Sequence, residues 1–256
     1  MKSIVDHFQE VRRKKELDDH HIKNTRKVGS ASNDWIIRET QGWLAVNKPP
    51  GLSVECQPGA TDTMEDLVFT YLSSTTRKPF VGIVHRLDRP TSGIVLFAKK
   101  KSVLQEMHSL FRSAKIRKTY LAVSIGTPNL KKGMLEHLLV RDTVQKKALV
   151  VATPCPGASL ARLQYRILTV KNNNALWEIR LLTGKYHQIR AQLGAIGCPV
   201  AGDVRYGASA LPEAEAIALH AQRLVFPDPV SGSVILLEAP LPKIKIWNDW
   251  DILTGR

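Results

Sequence analysis

Asp88 sits in the run His85-Arg86-Leu87-Asp88-Arg89-Pro90-Thr91-Ser92-Gly93, with a cation close on either side. Neighbouring positive charge favours an ionised carboxylate. Such a group can attack an electrophilic carbon, or stabilise a cation that forms beside it. It can also cap a turn, or pair with one of its arginines and take no part in chemistry. The run lies between apolar residues 81–84 and 94–97. A loop fixed between buried strands is a firm mount for a working side chain.

A second polar cluster is Thr183-Gly184-Lys185-Tyr186-His187-Gln188-Ile189-Arg190, at an expected strand-to-helix junction. His187 and Arg190 are three apart, so a helix would place them side by side. Two cationic groups at a helix N-terminus could hold an anion. Capping and solvated helix polarity would explain the same residues. A third feature is charge. Residues 99–118 hold seven Lys or Arg and a single acid, Glu106. So one-sided a run points to an anionic ligand, with Lys115 and Lys118 at its end. Tyr120, just beyond, could stack on a base or simply belong to the core.

The elements that position these residues follow from the apolar pattern. Residues 43–46 read as a strand, stopped by Asn47-Lys48-Pro49-Pro50-Gly51, where two prolines and a glycine make a rigid turn. Residues 64–72 fit a short helix and 93–98 a buried strand. Val103, Leu104, Met107, Leu110 and Phe111 have helical spacing. Residues 118–125 alternate as a strand. Residues 163–170 and 176–182 flank Asn172-Asn173-Asn174 as a hairpin. Residues 185–196 read as a helix that stops at Gly197, and 234–237 as a late strand. Without a regular βαβ rhythm, the expected class is α+β with a mixed sheet. Residues 1–34 stand apart, as a mixed-charge tail or a short amphipathic helix built on Ile4, Phe8 and Val11.

Composition narrows the partners. The 256 residues are 43% hydrophobic and 23% charged, as in a soluble globular protein. Lys plus Arg is 37 against 23 for Asp plus Glu, a net charge of +14 that attracts polyanions. A polybasic membrane patch would want a lipidation motif, and none is seen. No apolar run approaches the roughly 18–20 residues that span a bilayer. Cys56, Cys155 and Cys198 lack metal-ligand spacing and read as buried free thiols in a reducing compartment. The histidines are scattered, so no metal site is expected. Phosphate-loop, dinucleotide, Gly-x-Ser-x-Gly and His-Glu-x-x-His patterns are absent.

Taken in order, the blocks resemble the RluA-type pseudouridine synthases. Asn47-Lys-Pro-Pro-Gly51 is similar to the family's opening motif, and His85 to Gly93 to the signature that holds its catalytic aspartate. Lys118-Thr-Tyr120 is similar to the tyrosine motif. Leu182 to Arg190, with Gly197-x-Pro199, Gly202-Asp203 and Tyr206-Gly207, is similar to the third motif. Leu219-His220-Ala221 with Leu224-x-Phe226 is similar to the closing block. The blocks span about residues 42–240. Lys185-Tyr186 departs from the commoner Arg-Thr, which keeps the charge but loses the planar fork. Many relatives carry an extra N-terminal RNA-binding domain, for which the 34 residues here are too few.

The resemblance implies the pseudouridine synthase fold, with a largely antiparallel sheet, flanking helices and a central RNA-binding cleft, in one catalytic domain over residues 35–256. It implies isomerisation of uridine to pseudouridine in ribosomal RNA of the large subunit, with transfer RNA as the alternative target, and no cofactor or metal. Asp88 would be the nucleophile, adding to the sugar or assisting formation of a glycal. Arg190 would pair with it, and Tyr120 would stack on the uracil and assist proton removal from carbon 5. Arg86 would fill the space left by the flipped nucleotide, and Leu219 would lie on the other side of the base. Lys185, His187, Lys115 and Lys118 are further expected RNA contacts. A monomer in the cytoplasm is expected. A noncatalytic RNA-binding or assembly factor would not need Asp88, Tyr120 and Arg190 together. A glycosidase would want paired carboxylates.

Overall fold

The computed structural model describes residues 33–56, 62–212 and 215–250. The tail-or-helix expectation for the N-terminal segment falls almost wholly outside them. All elements below belong to the unit that begins at Trp35. Eleven strands form one sheet among the described residues. They are β1 (Ile36–Glu39), β2 (Trp43–Lys48), β3 (Gly82–Ile83), β4 (Ser92–Ala98), β5 (Arg117–Ile125), β6 (Lys132–Asp142), β7 (Lys147–Val151), β8 (Ser159–Lys171), β9 (Asn174–Leu181), β10 (Leu219–Pro227) and β11 (Val234–Glu238). The order is β1-β2-β4-β10-β5-β9-β8-β6-β7, with β11 on β10 and β3 on β4. Among the described strands only β4 and β10 pair in parallel. Helices α1 (Met64–Ser73), α2 (Lys101–Arg112), α3 (Gln188–Ala195) and α4 (Lys245–Asn248) flank the sheet. The mixed, largely antiparallel α+β architecture is as expected.

One register row crosses four of the sequence blocks. Lys48 on β2 faces Gly93 on β4, Gly93 faces Ala221 on β10, and Ala221 faces Tyr120 on β5. Blocks far apart in sequence are therefore lateral neighbours in the sheet. The row passes through a joint. The parallel pairing of β4 with β10 covers only Ser92 and Gly93, and beyond it β3 pairs with β4 at Phe97 and Ala98. The two backbones meet so closely at the joint that a Cβ on Gly93 would lie 2.3 Å from the Ala221 carbonyl oxygen. Gly93 also has φ of +114°, a region that side chains disfavour. Gly93→Ala is thus expected to destabilise the fold by about 3 kcal/mol or more, because the obstruction is backbone and cannot turn aside. The midpoint of a urea titration measures this; a midpoint within experimental scatter of wild type would contradict it.

Two cores lie beside the joint. One gathers Leu121, Val123, Trp177, Ile179, Leu193 and Leu219. The other gathers Trp43, Ile94, Leu96, Met107, Leu224 and Phe226. His220 is fully buried between them in sequence position, and its ring ties β4 to the chain after β11. Nδ1 lies 2.9 Å from the Ser92 hydroxyl and Nε2 lies 3.2 Å from the Ala239 carbonyl. A carbonyl only accepts, so Nε2 carries the proton and Nδ1 accepts from Ser92. Burial pushes the imidazole down to about 4, with the Ala239 hydrogen bond opposing. The unfolded chain then takes up this proton near pH 6.5 while the folded chain does not. Stability from this group is present above pH 6.5 and is lost as pH falls to about 4, by roughly 3 kcal/mol. His220→Gln should flatten that part of the stability-versus-pH curve. An unchanged slope between pH 6.5 and 4 would contradict the assignment.

The cysteine expectation is corrected in part. Cys198 is buried, but Cys56 and Cys155 are exposed, since both lie in loops rather than on a core-facing strand. No helix among the described residues is long and apolar enough to cross a membrane.

Candidate active site

Asp88 stands on the loop between β3 and β4, and that loop is tied down on both sides. The Thr91 N–H closes a turn on the Asp88 carbonyl at 3.0 Å. The carbonyl of Arg89 accepts from the Gly51 N–H at 2.9 Å and from Lys48 Nζ at 3.1 Å. Lys48 is fully buried and also donates to the carbonyls of Pro49 and Leu52, both at 2.8 Å. Burial pushes its ammonium down to about 7, with the charge of Asp88 opposing. The rigid turn at Pro49-Pro50-Gly51 thus serves as a bracket for the Asp88 loop.

The flanking arginines do not hold Asp88. Arg86 pairs with Glu55, and Arg89 pairs with Glu215 at 2.7 Å while donating to the Gly51 carbonyl at 2.8 Å. Adjacent residues on an extended loop point apart, so sequence neighbours are poor partners for one another. The cation at Asp88 comes instead from α3. Arg190 Nη1 donates to Asp88 Oδ2 at 2.9 Å. The rest of its fork is taken by Asp203, through Nε to Oδ2 at 2.6 Å and Nη2 to Oδ1 at 2.9 Å. Such a two-point contact fixes the guanidinium plane, and therefore the direction of the remaining N–H. Burial opposes the charge on Arg190, but Asp203, then Asp88, hold its pKa above the ordinary guanidinium value. Arg190 and Asp203 are 4% and 1% exposed, whereas the Asp88 side chain keeps 24% of its surface open. The open group is the one that could meet a substrate.

The helix expected over 185–196 starts later, at Gln188. His187 precedes it as a left-handed residue with φ of 50°. His187 and Arg190 therefore do not share a helix face as expected. Nor is His187 a second cation. Burial pushes it down to about 4, although Asp88 pulls the other way. Its Nδ1 lies 3.0 Å from the Tyr206 hydroxyl, which already accepts the Ala148 N–H at 2.8 Å. The Tyr206 proton then points at Nδ1, and the His187 proton sits on Nε2, 3.6 Å from Asp88 Oδ2. Tyr186 stacks on the His187 ring with centroids 3.9 Å apart. Gln188 and Gln192 seat α3, donating to the carbonyls of Arg162, Leu135 and Ala161 on β8 and β6.

Tyr120 is buried in the register row already described. Burial, and then the charge of Asp88, raise its phenol above the ordinary value. Leu219 is buried in the main core at the start of β10. Lys118 and Lys185 line a common groove, while Lys115 is exposed outside its lining. The structure thus brings Asp88 together with Arg190 and His187, and adds Asp203, Tyr206 and Lys48. These three stood inside quoted motifs, but their pairing over long sequence gaps left no mark in local spacing. Among the described residues no three His, Cys, Asp or Glu side chains converge as a metal site would require.

The profile of the family described as RNA pseudouridylate synthase matches residues 42–195. The chain is 33% identical to "Ribosomal large subunit pseudouridine synthase C" of Rickettsia bellii, over 88% of this chain and 73% of the relative. It is 33% identical to "Ribosomal large subunit pseudouridine synthase D" of Zymomonas mobilis, over 81% and 69%. In fold it is similar to the solved structure of "Human RNA Pseudouridylate Synthase Domain Containing 4". That match has a TM-score of 0.67 and 24% identity, over 81% of this chain and 88% of the other.

Proposed function

Because this chain belongs to the RNA pseudouridylate synthase family, in its RluA branch, we propose that it isomerises uridine to pseudouridine in large-subunit ribosomal RNA with Asp88 as nucleophile. The observation that carries the assignment is the partly open Asp88 carboxylate held at 2.9 Å by an arginine whose plane a second carboxylate fixes. The names of the relatives above support the ribosomal target.

In the proposed reaction an oxygen of Asp88 bonds to the anomeric carbon as the bond to N1 breaks, and that electron pair leaves with the uracil. The uracil turns in the pocket, C5 bonds to the anomeric carbon, and the carboxylate is released. The proton lost from C5 is balanced by one gained at N1, so the product is an isomer. Arg190 keeps the carboxylate aimed, and the orientation avoids an entropic cost at the moment of attack. Tyr120 meets the uracil as a neutral phenol. Formation of the Asp88 ester removes the nearby negative charge, one of the two factors that hold that phenol proton in place. Extrusion of the base from its stack costs a few kcal/mol, which contacts to the backbone offset.

Uridine tritiated at C5 tests the reading. The protein should release tritium from a labelled large-subunit ribosomal RNA transcript in step with pseudouridine formed. Free uracil would indicate hydrolysis, and binding without tritium release would indicate a noncatalytic factor; either overturns the proposal.

A further inference from the structure

We propose that a groove beside the Asp88 site is a phosphate track, which seats the backbone of the RNA strand flanking the target uridine. It runs from the end of α2, across the first residues of β5 and the last of β9, to the turn at 183–185, with a volume of about 490 Å³. Arg112, Arg117, Lys118, Arg180 and Lys185 line it, and no acidic residue does. The inference rests on the proposed function for the identity of the polyanion.

Three observations carry it. First, these cations are unneutralised. Several arginines elsewhere are matched, as in Arg162 with Glu136, Arg166 with Glu178 and Arg223 with Glu238, while Arg141 lies over the Tyr186 ring and Arg205 donates to the Lys146 carbonyl. Among the described residues none of the five groove cations has an acidic partner. Second, Lys118 is half-buried at the centre. Its Nζ lies so close to the turn that a Cβ on Gly184 would come within 3.3 Å of it. Burying an ammonium without a counter-charge is unfavourable, and an incoming anion relieves that cost. Third, the lining offers charge rather than a stacking platform. Its one aromatic, Phe111, already has the His85 ring at 5.0 Å and Lys118 Nζ at 5.6 Å. Backbone phosphate, not a base, is therefore the matching group, and the contacts carry no sequence information. Two lining residues contact the elements that carry the catalytic apparatus. Phe111 packs at 5.0 Å on the ring of His85, which opens the loop that bears Asp88, and the Lys185 N–H donates at 3.0 Å to Gln188 Oε1 on α3.

Arg117→Gln with Arg180→Gln tests the track, since both side chains are exposed and their loss spares the core. Binding is measured as a function of KCl on two probes, a large-subunit ribosomal RNA transcript and a transfer RNA transcript. The Kd should rise about tenfold or more on both, and the log–log salt slope should fall by about 1.4 to 1.8. Arg112→Gln with Lys185→Gln should behave alike, while Lys131→Gln with Lys132→Gln, at the start of β6 and outside the groove lining, should stay within twofold of wild type. Unchanged slopes in both groove variants, or a loss confined to one of the two RNAs, would overturn the track. Tritium release separates the two readings. Release with unaltered slopes defeats the groove alone, and altered slopes without release from any RNA defeat the proposed function alone.

Discussion

Asp88→Asn is expected to lower pseudouridine formation by at least about 10⁴-fold while the protein still binds RNA and folds. The change keeps the shape of the side chain and its ability to accept the Arg190 N–H at 2.9 Å. What it removes is the negative charge on the only carboxylate in the loop at 85–93. An amide oxygen does not form the bond to the anomeric carbon. Fold integrity should survive because Asp88 is partly open and Arg190 retains Asp203. Single-turnover assays at saturating enzyme measure the effect without interference from product release. Activity within tenfold of wild type would remove Asp88 from the nucleophile role.

The second large effect is at Arg190, and it has two components that one measurement would confuse. Arg190→Met leaves Asp203 buried without its partner, and a stranded buried charge costs roughly 3–5 kcal/mol of stability. It also frees Asp88 to reorient, and a misplacement of about 1 Å costs about a hundredfold in rate. Asp203→Asn with Arg190→Met separates the two. The double variant no longer carries the stranded charge, so stability should recover while the rate stays low. Arg190→Lys should keep more activity than Arg190→Met, since the charge remains although the planar fork is lost. Should Arg190 only bind a phosphate, the rate at saturation would stay in place, and binding alone would weaken.

Much of this site is legible in the sequence, for identifiable reasons. Strands at 43–46 and 93–98 announce themselves as apolar runs and the strand at 118–125 by its alternation, and all three prove to be interior strands of the sheet. The Asn172-Asn173-Asn174 turn fixes the β8–β9 hairpin, with Asn172 and Asn173 in left-handed conformations. The β6–β7 hairpin escapes notice. Its strands are half-buried on a sheet rim, where Glu136, His137 and Arg141 interrupt the apolar pattern. The helix bearing Arg190 is visible, but its start is displaced because His187 takes a left-handed turn that residue type does not signal. Asp203 is the largest omission. It stands in a quoted Gly-Asp pair, yet an acid thirteen residues beyond an arginine gives no local cue that the two are clamped together. Local charge spacing likewise offers Arg86 and Arg89 as partners for Asp88, and it is the family resemblance that points to Arg190, which holds Asp88 at 2.9 Å.

The most direct test of the account is complementation in cells that lack this protein, read by mapping pseudouridine across all ribosomal and transfer RNA. Wild-type protein should restore one or a few pseudouridines in large-subunit ribosomal RNA, and Asp88→Asn expressed to the same level should restore none. Restoration by Asp88→Asn, or a map in which no ribosomal uridine depends on the protein, would contradict it.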